Sequence, residues 1–401
     1  MGAKYLSGCA AAAEAVRLAD VDVIAAYPIT PQTAIMEHIS KFIANGELRA
    51  HMIHVESEHS AMSACIGAEL VGARAFTASS SQGLALMHEC LFFASGLRLP
   101  IVMAVANRSI ASPVTIFADH KDSLAQRDCG WIQYYTENVQ EILDMILIAY
   151  RVSENEKVLL PSMVCFDGFF LSHLSERVDV PELNCIKDFL PELRPKYPTL
   201  DIENPKVINV MAFPEFFEEF EFDKHYSMQS SKKVINESFE DFWGISGRKY
   251  GLIETYQTET AEMVLVGMGS MMGTALEAVK RLRKKGVEIG LVNIRVYNPF
   301  PFQEIVDAVK DTAIVGVMDR DISYGSGGIV FQNVLLGLYN KPNPPPVLNF
   351  IVGLGGRDVT LGTIEKIVGT MEKVRREDRV EKDIIWPDLN TELIKAWKIG
   401  D

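Results

Sequence analysis

The sequence predicts an α/β protein built on an open, mostly parallel sheet. Short apolar runs alternate with stretches of helical periodicity through residues 1–180, and residues that favour helix starts, such as Ser57, precede several of those stretches. Strands are expected at 21–26, 51–55, 73–78, 100–106 and 161–166. Helices are expected at 9–18, 31–43, 58–71, 84–95 and 137–152, the second of them following Thr30. This alternation is typical of a mostly parallel sheet.

A second α/β domain is expected to begin near Thr258, where the alternation resumes. Its expected elements are strands at 263–268 and 288–295 and a helix at 273–285, with further segments at 302–309, 312–318, 327–338 and 347–352. Between the two domains, phenylalanines interleave with acidic residues without a clear period. We therefore expect a first domain at 1–195, an extended and partly helical connection at 196–257, and a second domain at 258–401.

Composition restricts the classes of function. The 401 residues include 39 Lys and Arg against 53 Asp and Glu, a net charge of −14, and a surface this acidic repels phosphate backbones. No apolar run approaches the roughly 18 residues of a membrane span, and Glu14, Arg17 and Asp20 interrupt the alanine-rich N-terminal stretch, unlike in a signal peptide. The sequence therefore predicts a cytoplasmic protein that binds neither nucleic acid nor a membrane.

The cysteines show no metal-binding pattern. None of the six forms a C-x-x-C pair, and their spacing fits neither a zinc site nor an iron–sulfur cluster. They are expected to be small buried residues, so no metal site is predicted in this chain.

Polar residues follow four of the predicted strands of the first domain. Thr30 comes after the first strand, Glu56 and Glu58 after the second, Ser79 to Gly83 after the third and Arg108 after the fourth. Because ligands of open α/β sheets bind outside the carboxyl ends of the strands, these side chains are expected to share one edge. Each also has a structural explanation: Thr30 as a helix cap, Glu58 as a favourable charge at a helix start, and Arg108 as a surface charge.

Other motifs carry less information. A glycine pattern at 267, 269 and 273 is one residue longer than a dinucleotide fingerprint, which leaves a nucleotide-dependent dehydrogenase as an alternative. The glycine-rich segment 319–328 is expected to form a tight strand-to-helix turn, and His59 and His120 are expected to be structural. No G-x-S-x-G motif is present, so nothing supports a hydrolase.

Nine short segments together resemble a known family. They are YPITP at 27–31, HVESE at 54–58, TASSSQG at 77–83, ANR at 106–108, DHKDS at 119–123, RDCGW at 127–131, GRKYG at 247–251, RVYNPFP at 295–301 and DR at 319–320. In this order they resemble the α subunit of the 2-oxoacid:ferredoxin oxidoreductases, and most of all the pyruvate-type members (pyruvate synthase). The similarity extends over nearly the whole chain.

This resemblance implies a fold and a chemistry. It implies a thiamine diphosphate pyrimidine-binding domain followed by a transketolase C-terminal-like domain. It also implies that Glu58 contacts the cofactor pyrimidine, that Thr30 faces cofactor and substrate, and that Arg108 binds the substrate carboxylate. The implied reaction is oxidative decarboxylation of a 2-oxoacid to an acyl-CoA, with electrons passing to ferredoxin through iron–sulfur clusters.

The resemblance also implies partner chains. This sequence has neither a Gly-Asp-Gly motif for a diphosphate and Mg²⁺ nor a cysteine set for a [4Fe–4S] cluster. In the family these belong to a β subunit and a ferredoxin-like δ subunit, and a γ subunit often carries the coenzyme A-related domain, so ferredoxin is reached indirectly. Pyruvate is the expected substrate. The alternatives are 2-oxoisovalerate, phenylglyoxylate, 2-oxoglutarate or oxalate, and, from another class, a non-catalytic scaffold subunit.

Overall fold

The computed structural model describes residues 2–377, 379 and 384–397. The chain divides into two compact units. The first contains Met1–Glu254 together with Met268–Ser270 and Ile294–Pro301, and the second contains Thr255–Gly267, Met271–Asn293 and Phe302–Asp401. Residues 196–254 thus lie with the first unit, which includes most of the connection expected at 196–257. Within the described residues, no helix combines the length and apolar character that crossing a bilayer requires.

Strands and helices alternate along most of the described chain. The strands are β1 (Gly2–Ser7), β2 (Val23–Ala26), β3 (His51–His54), β4 (Ala75–Ser79), β5 (Val102–Asn107), β6 (Ile132–Tyr135), β7 (Ser162–Asp167), β8 (Ser175–Val180), β9 (Ile253–Tyr256), β10 (Met263–Gly267), β11 (Ile289–Ile294), β12 (Val296–Asn298), β13 (Ile314–Asp319) and β14 (Val347–Ile351). The helices are α1 (Gly8–Leu18), α2 (Thr33–Ala44), α3 (Glu58–Leu70), α4 (Ser81–Leu86), α5 (His88–Gly96), α6 (Lys121–Leu124), α7 (Val139–Ser153), α8 (Leu183–Phe189), α9 (Pro214–Ser246), α10 (Met271–Lys284), α11 (Phe302–Val309), α12 (Ile329–Leu338), α13 (Leu361–Glu377) and α14 (Thr391–Ala396).

A seven-stranded sheet forms the centre of the first unit. Its order is β12-β6-β7-β5-β4-β2-β3, and every neighbouring pair is parallel except β12–β6. The predicted mostly parallel sheet is therefore confirmed. β2 connects to β3 on one side, whereas β4 connects to β5 on the other, so the strand order reverses between β2 and β4.

Helices α1 and α7 form much of the core of the first unit. Almost every residue of both is buried, which the small alanines of α1 permit because they let a helix approach its neighbours closely. The Ser7 hydroxyl accepts a hydrogen bond from the Ala10 amide at 3.2 Å and caps α1.

Three helices differ from the sequence-based expectations. α2 begins at Thr33 rather than at Pro31, and Thr30 is not its cap. The helix expected at 84–95 is two helices, α4 and α5, which meet at Met87. α9 is a continuous helix of 33 residues. Residues 214–226 of α9 are almost all exposed, and only the later part packs into the core. In that later part, Val234, Ile235, Phe239 and Phe242 are buried at helical spacing, a period that the sequence-based expectation missed.

The second sheet has the order β14-β13-β10-β11-β9, with parallel pairing from β14 through β11. Its core lies against α10 and α13. At the glycine-rich segment 319–328, the buried Asp319 carboxylate accepts hydrogen bonds from the amides of Val330 at 2.7 Å and Phe331 at 3.1 Å. A Cβ on Gly328 would lie 2.0 Å from the same carboxylate. This segment is therefore a strand-to-helix turn, as expected.

Candidate active site

Polar loops meet at the carboxyl edge of the seven-stranded sheet. Thr30 follows β2 and Arg108 directly follows β5, while Glu58 and Ser81 open the helices after β3 and β4. The reversal of strand order between β2 and β4 lies among these loops, and ligands of open α/β sheets bind at such a reversal.

Glu58 is a buried residue whose carboxylate has no partner among the described residues. The residue is 6% exposed and occupies the first position of α3, which is capped by the Ser57 hydroxyl. Its carboxylate packs against Gly83, where a Cβ would lie 2.4 Å from Glu58 Oε1. In the part of the chain that the structure describes, no hydrogen bond or ion pair reaches this carboxylate. Because buried carboxylates normally have such partners, Glu58 is suited to bind a ligand.

The neighbouring Glu56 has a different environment. It is exposed, and its carboxylate accepts a hydrogen bond from the Ser60 hydroxyl, which is the main reason why the pKa of Glu56 is lowered. Sequence spacing alone does not separate the two glutamates, because strand alternation would place both on one face. β3 ends at His54 and Ser57 begins the helix turn, so the alternation stops before Glu56.

Arg108 lies beside Thr30 and keeps an uncompensated positive charge. Its Nη1 donates to the Thr30 carbonyl oxygen at 3.0 Å, and its Nε donates to the Thr115 carbonyl oxygen at 2.9 Å. Both acceptors are neutral, and among the described residues no carboxylate pairs with this half-buried guanidinium. Thr30 itself is an exposed residue. The guanidinium can therefore bind a small anion beside Thr30.

The serines after β4 lie inside the fold. Ser79, Ser80 and Ser81 are fully buried. The hydroxyls of Ser79 and Ser80 have no hydrogen-bond partner within the described residues, whereas the Ser81 hydroxyl donates to the Ser109 carbonyl oxygen at 2.6 Å. The serine run therefore joins the loops that follow β4 and β5.

Sequence reasoning missed one residue of this edge. Asp122, in α6, is fully buried, and its Oδ2 accepts hydrogen bonds from the amides of Ser81 at 2.9 Å and Arg108 at 3.0 Å. Its Oδ1 accepts from Asn107 Nδ2 at 2.7 Å and from the Ser123 amide at 2.8 Å. The available signal was its place in the DHKDS segment, but nothing in the sequence connects that segment to the ends of β4 and β5.

The two histidines named in the sequence analysis, His59 and His120, each lie near a carboxylate. His59 is partly exposed, 3.8 Å from Glu89. His120 is buried and its Nε2 lies 2.9 Å from Asp167 Oδ1. A Cβ on Gly269 would lie 2.9 Å from the same Nε2, so the imidazole already fills the space above this glycine. This packing explains Gly269 without a bound dinucleotide.

One group of carboxylates approaches the spacing of metal ligands. Glu137, Glu141 and Glu254 bring oxygen atoms within 4.8 Å of one another. However, Arg295 Nη2 lies 2.7 Å from both Glu141 and Glu254, so a guanidinium already supplies the positive charge there.

Two family models match the chain. The model described as pyruvate flavodoxin/ferredoxin oxidoreductase, thiamine diphosphate-binding, matches residues 14–240. The model described as pyruvate:ferredoxin oxidoreductase core domain II matches residues 261–364. The first match alone covers more than half of the chain and contains Thr30, Glu58 and Arg108.

Curated relatives match over almost the full length. Pyruvate synthase subunit PorA of Pyrococcus furiosus is 47% identical over 98% of this chain and 99% of its own. PorA of Methanothermobacter thermautotrophicus is 47% identical over 97% and 99%. Ketoisovalerate oxidoreductase subunit VorA of Pyrococcus abyssi is 45% identical over 96% and 98%.

Solved structures show the same fold at low identity. The 2-oxoglutarate:ferredoxin oxidoreductase of Magnetococcus marinus superposes with a TM-score of 0.70 at 18% identity, covering 93% of this chain and 65% of that longer one. A split-gene transketolase superposes with a TM-score of 0.52 at 13% identity, covering 93% of this chain and 100% of the other. The fold expected from the resemblance is thus confirmed, and the chain belongs to the pyruvate flavodoxin/ferredoxin oxidoreductase family, as a subunit of a multi-subunit 2-oxoacid oxidoreductase.

Proposed function

We propose that this chain is the α subunit of a pyruvate:ferredoxin oxidoreductase and provides the pyrimidine-binding and substrate-binding half of its active site. The complex would oxidatively decarboxylate pyruvate to acetyl-CoA and pass the electrons to ferredoxin. The observation that carries this proposal is the buried Glu58 carboxylate, which has no partner among the described residues and faces a glycine at the switch point of the sheet.

The residues around Glu58 fit thiamine diphosphate. An aminopyrimidine presents a ring nitrogen, N1′, that pairs with a carboxyl group, and the missing Cβ of Gly83 leaves room for the carboxyl. When bound, this cofactor supplies the nucleophilic carbon that adds to the keto group of a 2-oxoacid. Glu58 would hold and exchange the proton at N1′, which an amide in its place cannot do.

Arg108 and Thr30 fit the substrate. The guanidinium would bind the carboxylate of the 2-oxoacid through charge-assisted hydrogen bonds, and the Thr30 hydroxyl would contact substrate and cofactor. Residues 109–112 are Ser, Ile, Ala and Ser, so this segment offers no second cation for a dicarboxylate. This favours a monocarboxylate such as pyruvate, consistent with the names of the PorA relatives.

A branched 2-oxoacid is the second candidate. The relatives named ketoisovalerate oxidoreductase are 45–46% identical to this chain, almost as similar as the pyruvate synthase subunits. Identity at this level does not separate the two substrates, so the assay must include both.

Partner subunits would complete the site. We place the diphosphate and Mg²⁺ site and a [4Fe–4S] cluster in a β subunit, and further clusters and the coenzyme A-related domain in δ and γ subunits. Five of the six cysteines are buried, and the group of possible metal ligands found among the described residues contains none of them, which supports the proposal that the clusters are held elsewhere. Several exposed aromatic residues also support contact with other chains, among them Phe213, Phe216, Phe217 and Phe220, each close to 60% exposed. We place the complex in the cytoplasm.

The assembled complex, purified with its native partners, provides the test. Reduction of a viologen dye should depend on coenzyme A, and pyruvate should give a higher kcat/KM than 2-oxoisovalerate, phenylglyoxylate, 2-oxoglutarate or oxalate. A higher kcat/KM for any of these would reject pyruvate as the substrate. The isolated chain should be colourless and inactive. Stoichiometric iron in it would contradict the proposal that the partner subunits bind the iron–sulfur clusters.

A further inference from the structure

We propose that Asp122 is a positioning residue that holds the Glu58 side and the Arg108 side of the active site in one fixed arrangement. The proposal rests on the proposed function, because it assigns Glu58 to the cofactor and Arg108 to the substrate. Asp122 itself lies in α6, which belongs to neither loop, and is fully buried beneath both.

Four donors converge on this carboxylate, two on each oxygen. Oδ2 binds the backbone amides of Ser81 and Arg108, and Oδ1 binds the Asn107 side chain and the Ser123 amide, all within 3.0 Å. Both oxygens must accept, so the ionised carboxylate satisfies all four donors. An asparagine has the same shape but would direct its amide group at two donors that then have no acceptor.

The hydrogen bond from the Ser81 amide to Asp122 stabilises a turn in which Ser81 has an unfavourable backbone conformation. Ser81 has a φ of +50°, in the left-handed region that residues with a Cβ rarely adopt. It precedes Gly83 by two residues, and Gly83 is the surface on which the Glu58 carboxylate rests. Release of the Ser81 amide would therefore free the turn that sets the position of Gly83, and with it the direction of Glu58.

The bond to Arg108 acts on the other half of the site. The Arg108 guanidinium is held by the carbonyls of Thr30 and Thr115, while its backbone amide is held by Asp122. Since one oxygen atom of Asp122 binds the amides of both Ser81 and Arg108, the two loops are tied through a single point. A change at Asp122 should therefore affect cofactor activation and substrate binding together.

The test is Asp122→Asn in the assembled complex, with two measurements on the same preparation. We expect the KM for the 2-oxoacid to rise about tenfold and the exchange of the cofactor C2 proton for deuterium to slow about tenfold. Asp144→Asn is the matched control, because Asp144 is also fully buried and hydrogen-bonded, but to Arg248 and Tyr250 away from this edge. It should lower the melting temperature without changing either measurement more than about twofold.

The outcomes separate the two proposals. If Arg108→Ala raises KM and Glu58→Gln slows exchange, but Asp122→Asn changes neither, the positioning role is wrong and the proposed function stands. If Arg108→Ala and Glu58→Gln change neither quantity, the proposed function is wrong. Should Asp122→Asn fail to fold, amide hydrogen exchange of the wild-type complex decides: the Ser81 and Arg108 amides should be protected and exchange at similar rates. Rapid exchange of either amide would overturn the positioning role.

Discussion

Arg108 Nη1 donates a hydrogen bond to the Thr30 carbonyl oxygen at 3.0 Å. This bond joins the loop after β5 to the loop after β2, although 78 positions separate the two residues in the chain. It fixes the guanidinium next to the Thr30 backbone without neutralising its charge, because a carbonyl is a neutral acceptor. The contact therefore places a fixed cation beside Thr30 at the point where the strand order reverses.

Replacement of Arg108 should weaken substrate binding. A charge-assisted hydrogen bond contributes about 1.5–3 kcal/mol, and about 1.4 kcal/mol corresponds to a tenfold change. We expect Arg108→Ala in the complex to raise the KM for the 2-oxoacid by roughly 10- to 100-fold. Arg108→Lys should restore only part of the binding, since an ammonium lacks the planar pair of donors. Arg177→Ala, at an exposed position of β8, should leave KM unchanged; an unchanged KM in Arg108→Ala would remove Arg108 from the site.

The space at Gly83 should be essential for the position of Glu58. A Cβ at this residue would lie 2.4 Å from Glu58 Oε1 and 2.8 Å from Glu58 Cδ, so Gly83→Ala must displace the carboxyl group. We expect the variant complex to bind thiamine diphosphate at least tenfold more weakly, measured by titration of the cofactor-depleted complex. Gly96→Ala is the control, because nothing lies within 4 Å of its added Cβ. Equal affinities in the two variants would contradict the position assigned to the pyrimidine.

Much of the candidate site is predictable from the sequence, because the C-terminal ends of parallel strands lie at the same edge of the sheet. That rule alone brings Thr30 and Arg108 together. The choice between Glu56 and Glu58 is not predictable from spacing, since it depends on where β3 stops and α3 starts. Asp122 is not predictable either, because three of its four partners come from other segments and only the tertiary structure brings them together. The second half of α9 was predictable, because Val234, Ile235, Phe239 and Phe242 follow helical spacing, but the sequence-based expectation missed it.

Glu69 should make the stability of the chain depend on pH. Burial raises the pKa of Glu69 to about 8, and its carboxyl contacts the Tyr197 hydroxyl at 2.5 Å and the Ala75 amide at 3.0 Å. A glutamate of the unfolded chain has a pKa of about 4.3. Between about pH 4.3 and about pH 8, Glu69 keeps its proton in the native state but has released it in the unfolded state. The contribution of Glu69 to the free energy of unfolding is therefore fully present below about pH 4.3. It decreases as the pH rises and is lost at about pH 8.

Glu69→Gln should flatten this dependence, because glutamine is neutral at every pH and still offers an acceptor and a donor. Urea unfolding at pH 5 should give stabilities that differ by only about 1 kcal/mol between variant and wild type. At pH 8 the variant should be more stable by roughly 4–5 kcal/mol, given about 1.4 kcal/mol per pKa unit. Glu47→Gln, at an exposed position, should keep the wild-type slope. A Glu69→Gln slope equal to that of wild type would show that Glu69 is ionised in the native state.

The exchange of the cofactor C2 proton gives the most direct test of Glu58. Activation of thiamine diphosphate requires a carboxyl group that shares a proton with N1′, and Glu58 is the buried carboxylate at this edge that has no partner among the described residues. Glu58→Gln preserves size and hydrogen bonding but cannot transfer a proton. We expect the complex to assemble and to bind the cofactor, while the exchange of C2–H for deuterium and turnover fall by roughly 100-fold or more.

Glu56→Gln is the matched control for this experiment. Glu56 lies two positions earlier, is exposed, and already accepts a hydrogen bond from Ser60, so its replacement should leave exchange within about twofold of wild type. The exchange would be followed by NMR after acid quench, with cofactor content measured on the same samples. Normal exchange in Glu58→Gln, or a loss confined to Glu56→Gln, would assign the activating role to a different carboxylate. A loss in Glu58→Gln alone would show that Glu58, the buried member of the pair, activates the cofactor.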